Sequence, residues 1–428
     1  MRVKEIPRMY RIKQNFNVKR IENVEEAIAD GISQYKELFF PGAKIGIAVG
    51  SRGIYQIPKM VKAAVAEVKK HGAIPHIIPA MGSHGGATAE GQEEYLKGYG
   101  ITEETVGAPV LSSMEVEQVG TLEPEGMPVY CDKIALAMDG LIMLNRIKPH
   151  TDFHDITESG LLKQMAIGFG NHIGALAIHE FGIYGLAKLI PRAARVIMEK
   201  APILLGIAVL ENAEDTTAII EVLPKDKIEE REKELIIEAK KLMPSLPFRN
   251  ADVLVVQKMG KNISGVGMDS NITGRILVRG QEESDDLFIY RIVCLDLTEE
   301  SHHNALGIGL ADVITRRLYE KVDLETTYAN VICSGFLERG FIPIIQNSDR
   351  DAILTALSCC NRKVTMEDAR VALIKNTLEV KEILVSEALL EQVKERDYVE
   401  VLGEEKLEFD PEGNLKQDKG TVPLSCLI

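Results

Sequence analysis

Residues able to do acid/base, nucleophilic or metal chemistry are concentrated between Asn145 and Glu180, NRIKPHTDFHDITESGLLKQMAIGFGNHIGALAIHE. A histidine titrates near neutral pH and can transfer a proton or bind a metal. A lysine among apolar residues tends to a lowered pKa and becomes a usable amine nucleophile. The stretch contains four of the nine histidines of the chain, and one lysine in an apolar run: His150, His154, His172, His179 and Lys163.

His150 and His154 have the i, i+4 spacing of two metal ligands on one helical face. Pro149 and Asp152 favour a loop there, however, and no Glu stands between the histidines as in an HExxH motif. A zinc-dependent hydrolase is therefore an alternative rather than the main interpretation.

The elements before this stretch alternate as strand, loop, helix, strand, loop, helix. An apolar run at 44–49 predicts a buried strand, a helical pattern follows from Ile57, and 74–80 predicts the next strand. Because ligands bind at the carboxyl ends of parallel strands, the loops GSRGI and MGSHGGAT should face a common cleft, and with them Arg52 and His84.

The remaining pattern predicts two α/β domains with mainly parallel sheets, residues 1–247 and 248–428, separated near KLMPSLPFRNA. Further strands are predicted at 141–144, 203–210, 218–222, 253–257 and 287–296, helices at 226–242 and 305–322, a helix cap at Ser348, and a hairpin at 407–417.

Composition narrows the class of protein. The formal net charge of −14 disfavours general nucleic-acid or membrane-surface binding. The six cysteines show neither a CxxC motif nor paired spacing, which favours a reducing compartment over a disulfide framework. With no apolar run near the roughly 20 residues of a membrane span and no apolar leader at the start, we predict a soluble, cytoplasmic protein.

The motifs NRIKPHTDF, ESGLLK, GFGNHIGA and AIHEFG, with GSHGGAT before them and GKNISGVGMDSN after them, resemble the lactate-racemase-like family of nickel-pincer-cofactor-dependent racemases and epimerases. The resemblance covers nearly the whole chain and is closest to a subgroup distinct from lactate racemase itself. It implies two α/β domains with the active site in the cleft between them.

The resemblance also implies a cofactor and residue roles. The cofactor is the nickel-pincer nucleotide, a pyridinium-3-thioamide-5-thiocarboxylic acid mononucleotide that binds nickel and is covalently attached to a lysine, here Lys163. By position, His179 is the nickel ligand, with His172 as the alternative. The two acid/base histidines correspond to His84 and His150. The loop containing Ser51 and Arg52 corresponds to the cofactor- and substrate-binding loop.

The implied function is isomerisation of a small 2-hydroxy acid, with the enzymes that build the cofactor as partners. Two departures leave the substrate open: the spacer from His150 to Lys163 is longer than in lactate racemase, and its substrate-contacting Gln and Lys have no clear counterparts after Asn271. A non-catalytic cofactor- or anion-binding protein therefore stays an alternative. Homo-oligomer formation is also left open.

Overall fold

The computed structural model describes residues 3–16, 18–51, 53–283 and 286–416 and divides into two compact units. We call Val18–Met243 the N-terminal unit, and Met1–Asn17 together with Pro244–Ile428 the C-terminal unit. Each unit is built from a mixed, mostly parallel β-sheet and helices, so the fold class is α/β, as predicted.

The strands of the described residues are β1 Met9–Gln14, β2 Lys44–Val49, β3 Ile74–Pro79, β4 Val116–Leu122, β5 Met127–Asp132, β6 Gly140–Arg146, β7 Ile203–Glu211, β8 Thr217–Pro224, β9 Asn250–Val256, β10 Phe288–Cys294, β11 Val313–Thr315, β12 Ile344–Gln346, β13 Val371–Ile374, β14 Glu382–Ser386 and β15 Val399–Glu405. The α-helices are α1 Val24–Ser33, α2 Ile57–Lys70, α3 Ala89–Gly98, α4 Glu103–Val106, α5 Lys133–Leu136, α6 Leu161–Lys163, α7 Asn171–His179, α8 Gly182–Tyr184, α9 Ile190–Lys200, α10 Ile228–Leu242, α11 Ser270–Thr273, α12 Arg316–Glu320, α13 Leu324–Ser334, α14 Asp349–Ser358 and α15 Glu387–Val393. Two π-helical segments, Gln164–Gly168 and Gly185–Leu189, follow α6 and α8.

The sheet of the N-terminal unit has the order β3-β2-β6-β7-β8, in which only the β7–β8 pairing is antiparallel. The strands β2, β6 and β7 are almost wholly buried, as their continuous apolar sequences require. Because β2 and β6 are adjacent parallel strands, their carboxyl ends lie side by side. The segments that follow these two strands therefore start from one edge of the sheet.

The sheet of the C-terminal unit has the order β12-β11-β10-β9-β13-β14-β1-β15. Its first five strands are parallel, whereas β14, β1 and β15 continue the sheet by antiparallel pairing. The domains predicted from the sequence placed residues 1–17 with the N-terminal half. In the structure this segment belongs to the C-terminal unit, because β1 pairs with β14 and β15.

Most predicted elements are present within one or two residues of their expected bounds, including β2, β3, β6, β7 and α10. Ser348 caps α14 as predicted, since its hydroxyl accepts the N–H of Asp351 at 3.1 Å. The predicted hairpin at the end of the chain is represented by an antiparallel bridge between Phe409 and Leu415, and its last residue lies outside the described residues.

The helix predicted at 305–322 is wrong. The segment contains a 3-10 turn, Ile308–Leu310, then the short strand β11 and the short helix α12. Gly307, at φ +92°, adopts a conformation that suits glycine and interrupts a helix. The β-branched residues of β11 are then buried between β10 and β12. Among the described residues, no helix has the length and apolarity that a membrane crossing requires.

Candidate active site

Lys163 is positioned by the two buried strands whose carboxyl ends lie side by side. The next residue, Gln164, donates from its side-chain amide to the carbonyls of Ala48 at 3.2 Å and Leu144 at 2.9 Å, the penultimate residue of β2 and a residue near the end of β6. Asn145, also in β6, donates to the carbonyl of Gly160 at 2.8 Å. The single turn of α6 is thereby attached to the sheet edge on both sides of Lys163.

The backbone changes from α- to π-helical immediately after Lys163. Such π-helical segments occur frequently at functional sites, because the wider turn redirects the side chains around it. The flanking residues Leu162 and Gln164 are buried, whereas Lys163 is only partly buried. The Lys163 side chain is therefore the partly exposed one between two buried neighbours.

His150 lies in a loop that closes on itself. Lys148 and Ser159 exchange backbone hydrogen bonds of 3.0 and 3.2 Å, so the chain between them returns to its starting point. The His150 ring packs against the fully buried Phe153, with ring centroids 4.6 Å apart. The loop rather than helical conformation agrees with the interpretation of Pro149 in the sequence.

Lys163 and His150 are in direct contact, with 2.7 Å between Lys163 Nζ and His150 Nε2. The other ring nitrogen, Nδ1, accepts the backbone N–H of Asp152 at 3.1 Å, while the Asp152 carboxylate lies 3.8 Å from it, beyond hydrogen-bond distance. The hydrogen bond between Nε2 and Nζ joins the imidazole directly to the lysine amine.

A buried carboxylate holds the His150 loop in place. Glu158 Oε2 accepts the backbone N–H of His150 at 2.6 Å and lies 3.2 Å from His154 Nδ1. Its other oxygen is 2.6 Å from Lys240 Nζ in α10, and the Glu158 side chain is 0% exposed. The exposed His154 ring thus contacts the same carboxylate that accepts the backbone N–H of His150.

A second buried carboxylate contacts the start of the helix that bears Lys163. Glu232, in α10, accepts the backbone N–H groups of Leu161 at 2.7 Å and Leu162 at 3.1 Å. Burial raises the pKa of Glu232 to about 7, against the lowering effect of these two hydrogen bonds. The carboxylate supplies partners for donors that a helix leaves unpaired at its first turn.

His179 lies at the end of α7, where burial and, to a lesser extent, the charge of Lys163 lower its pKa to about 4. Its imidazole is therefore neutral at physiological pH, the form that binds a metal ion. His172, two helical turns earlier, or about 10 Å along the axis, is exposed.

His84 lies on the loop after β3, which packs against the π-helical segment that follows Lys163. In this loop Gly82 N–H donates to the carbonyl of Gly168 at 3.2 Å, and a Cβ on Gly82 would lie 2.9 Å from Ile167 Cγ2. The His84 ring meets Tyr95 edge-on at 6.2 Å. Beyond the loop, Thr88 caps α3 as predicted, accepting the N–H of Gly91 at 3.0 Å.

The loop after β2 is anchored by two hydrogen bonds. The Tyr99 hydroxyl donates to the carbonyl of Ser51 at 2.5 Å, and Tyr55 N–H donates to the carboxylate of Glu211 at 2.7 Å. Arg52, the anion-binding residue predicted from the sequence, lies outside the described residues.

The structure thus brings His150 and Lys163 into contact in the N-terminal unit. His179 lies close enough for the charge of Lys163 to affect its pKa, and the loop of His84 packs against the segment that follows Lys163. The structure also shows groups that the sequence interpretation missed: Gln164, Asn145, Glu158, Glu232 and Lys240. One signal for Glu232 was present, since it occupies an inward position of α10 in line with Ile228, Leu235, Ile236 and Ala239.

A zinc-dependent hydrolase would need several metal-binding side chains grouped around one point. Within residues 3–16, 18–51, 53–283 and 286–416, no group of three or more His, Cys, Asp or Glu side chains is arranged to hold a metal ion. The two histidines with i, i+4 spacing both contact Glu158, His150 through its backbone N–H and His154 through its ring.

No protein-family model matches the sequence. No curated protein matches it either. Among solved structures, the lactate racemase apoprotein from Thermoanaerobacterium thermosaccharolyticum is similar at 14% sequence identity and a TM-score of 0.44, over 77% of this chain and 94% of that chain.

Proposed function

We propose that this protein is an isomerase: a racemase or epimerase of a 2-hydroxy acid that uses the nickel-pincer nucleotide. The contact of 2.7 Å between Lys163 Nζ and His150 Nε2 supports this proposal most directly. The sequence motifs assign these two residues different roles, cofactor attachment and acid/base catalysis, which require them to be neighbours. The effect of Lys163 on the pKa of His179 adds the proposed nickel ligand to the same neighbourhood.

The residues fit the cofactor chemically. The amine of Lys163 can be acylated once it has lost its proton, and His150 is in contact to accept that proton. The neutral imidazole of His179 is the form that can complete a nickel site with soft sulfur ligands. Ser51 and Arg52 are the residues we assign to anionic groups of cofactor and substrate. When bound, the cofactor would supply a hydride acceptor and donor for the carbon that bears the hydroxyl group.

The protein's own part in the reaction is proton transfer. As the substrate carbon loses hydride, a base must accept the hydroxyl proton; as the opposite configuration forms, an acid must return a proton to the oxygen from the other face. We assign these roles to His150 and His84, which stand on separate loops. Phe153 and Glu158 fix the position of His150, so its ring does not have to reorganise during the reaction.

The proposal is tested by producing the protein in cells that contain the enzymes that build the cofactor. We expect a mass increase that maps to the peptide containing Lys163 and is lost in Lys163→Arg, whereas Lys200→Arg, an exposed control, keeps it. A lactate racemase loaded in the same cells confirms cofactor supply. Unmodified protein beside a loaded control contradicts the proposal.

The reaction is tested with a panel of 2-hydroxy acids deuterated at C2 and analysed by chiral chromatography and mass spectrometry. Hydride transfer through the cofactor predicts conversion with deuterium retained at C2, because the hydrogen never reaches solvent. Exchange of the label with water contradicts the hydride mechanism. Saturable binding without conversion indicates the non-catalytic binding protein instead.

A further inference from the structure

Helix α10 contacts the segments that bear Lys163 and His150. Glu232 and Lys240 are roughly two turns apart, about 12 Å along the helix, which places them on one face. Glu232 is 1% exposed and accepts the two N–H groups that precede Lys163, at 2.7 and 3.1 Å. Lys240 pairs at 2.6 Å with Glu158, whose other oxygen accepts the N–H of His150.

A buried carboxylate at this position has a cost that packing alone does not explain. Removing a carboxylate from water is unfavourable unless its hydrogen bonds compensate. Glu232 Oε2 accepts both N–H groups, while Oε1 has no hydrogen-bond partner among the described residues. An apolar residue at position 232 would avoid that cost but would leave both N–H groups without an acceptor.

The segments held in this way have little stability of their own. Helix α6 is a single turn, too short to persist without outside contacts, and the next residues are π-helical. The His150 loop is closed by one pair of backbone hydrogen bonds and is otherwise held by side chains, among them the buried Phe153 and the ion pair of Asp155 with Lys188 at 2.6 Å. Small displacements of either segment would separate Lys163 Nζ from His150 Nε2, because hydrogen bonds weaken steeply with distance and angle.

We propose that Glu232, together with the ion pair of Lys240 and Glu158, forms a set of positioning residues that holds Lys163 and His150 in contact. The catalytic meaning of that contact rests on the proposed function, but the contact itself does not. Helix α10 thus fixes the attachment amine through one carboxylate and the acid/base imidazole through the other. Helix α10 is charged and partly solvated, and in this proposal it also positions the two residues of the site.

The test measures the reactivity of Lys163 in the apoprotein, without cofactor or substrate. The protein is treated at pH 7 with a limiting amount of sulfosuccinimidyl acetate, and acetylation at each lysine is quantified by peptide mass spectrometry. Lys200, exposed and at the end of α9, is the reference within each sample. A lysine is almost fully protonated at pH 7. An imidazole in contact with the amine can accept its proton during the reaction, so Lys163 should react on the order of tenfold faster than Lys200 or more.

His150→Gln gives the reactivity of Lys163 without the imidazole. We expect Glu232→Leu and Lys240→Met to lower the rate at Lys163, relative to Lys200, toward the value in His150→Gln, by roughly tenfold. Glu232→Gln should retain most of the reactivity, because an amide oxygen still accepts from Leu161 and Leu162. That rescue distinguishes positioning from mere loss of packing.

Two control variants lie on the same helix. Glu238→Gln removes a carboxylate that pairs with Arg231, and Lys241→Met removes an exposed lysine beside Lys240. Both should leave the rate at Lys163 unchanged. If Glu232→Leu does not fold, Lys240→Met, a change at a partly exposed side chain, provides the result alone.

Wild-type reactivity of Lys163 in Lys240→Met, or in a folded Glu232→Leu, overturns the proposal. So does a Lys163 that reacts no faster than Lys200 in the wild-type protein. If the acetylation rates follow the expected pattern but no hydroxy acid is converted, the positioning role is supported and only the proposed function is contradicted.

Discussion

Replacing Glu232 with glutamine should stabilise the protein at alkaline pH and have little effect at acidic pH. Glutamine has nearly the shape of glutamate and can accept from Leu161 and Leu162 through its oxygen. Its amide nitrogen would occupy the position of Oε1, which has no hydrogen-bond partner within the described residues. The change therefore removes the ionisation of the side chain while keeping its contacts.

The magnitude follows from the pKa of Glu232. Burial raises this pKa from 4.5 to about 7 in the folded protein. Between pH 4.5 and 7 the folded protein holds the proton more tightly than the unfolded chain, so its stability falls as pH rises through this window. The contribution is present in full below pH 4.5 and lost above pH 7, and it amounts to on the order of 3 kcal/mol.

His179 acts in the opposite direction over nearly the same window. Its pKa falls from 6.5 to about 4 on folding, so the folded protein binds its proton less tightly and gains stability as pH rises from 4 to 6.5. The two effects nearly cancel in the wild-type protein. The difference between wild type and Glu232→Gln, rather than either curve alone, isolates the carboxyl group.

The assay is thermal unfolding followed by circular dichroism from pH 4 to 8.5 for wild type and variant, with Glu238→Gln as the matched surface control. We expect the Tm of Glu232→Gln, relative to wild type, to rise by roughly 5–10 °C between pH 4.5 and pH 8. The Tm of Glu238→Gln should change with pH in the same way as the Tm of the wild-type protein. Parallel curves for Glu232→Gln as well would refute the claim that this carboxyl group is buried and titrates near neutrality.

Three further results are expected. Gly82→Ala should destabilise the N-terminal unit by about 1–2 kcal/mol in urea unfolding, because φ is +62° and the new Cβ would lie 2.9 Å from Ile167; an unchanged midpoint argues against this loop conformation. In the apoprotein, the stability of His179→Gln relative to wild type should rise by on the order of 3 kcal/mol as pH falls from 6.5 to 4, and a difference that stays constant over this window contradicts the lowered pKa of His179. Asp252→Asn should destabilise the C-terminal unit by on the order of 3 kcal/mol at pH 7, as the side chain is buried and paired with Arg362, and hydrogen exchange in β9 unchanged from wild type contradicts this.

The agreement between predicted and observed elements is best where one window of sequence contains the whole signal. The strands β2, β6 and β7 are continuous apolar runs of buried parallel strands, and α2 and α10 show helical periodicity over three or more turns. The predicted helix at 305–322 is wrong because its own window of sequence does not contain the whole signal. Its apolar residues fit a helical pattern, but only pairing with β10 and β12 makes β11 a strand.

The sequence alone determined the α/β fold class and the residue types of the site, because apolar runs and the histidine-rich stretch are local features. Only the tertiary structure decided which other groups position the residues of the site. Glu232 is 71 residues from Leu161, Lys240 meets Glu158 from another element, and β1 pairs with strands near the other end of the chain. In the sequence Glu232 is one of many carboxylates in a charged helix. Its environment is set by contacts between distant segments, and no local pattern of residues specifies such contacts.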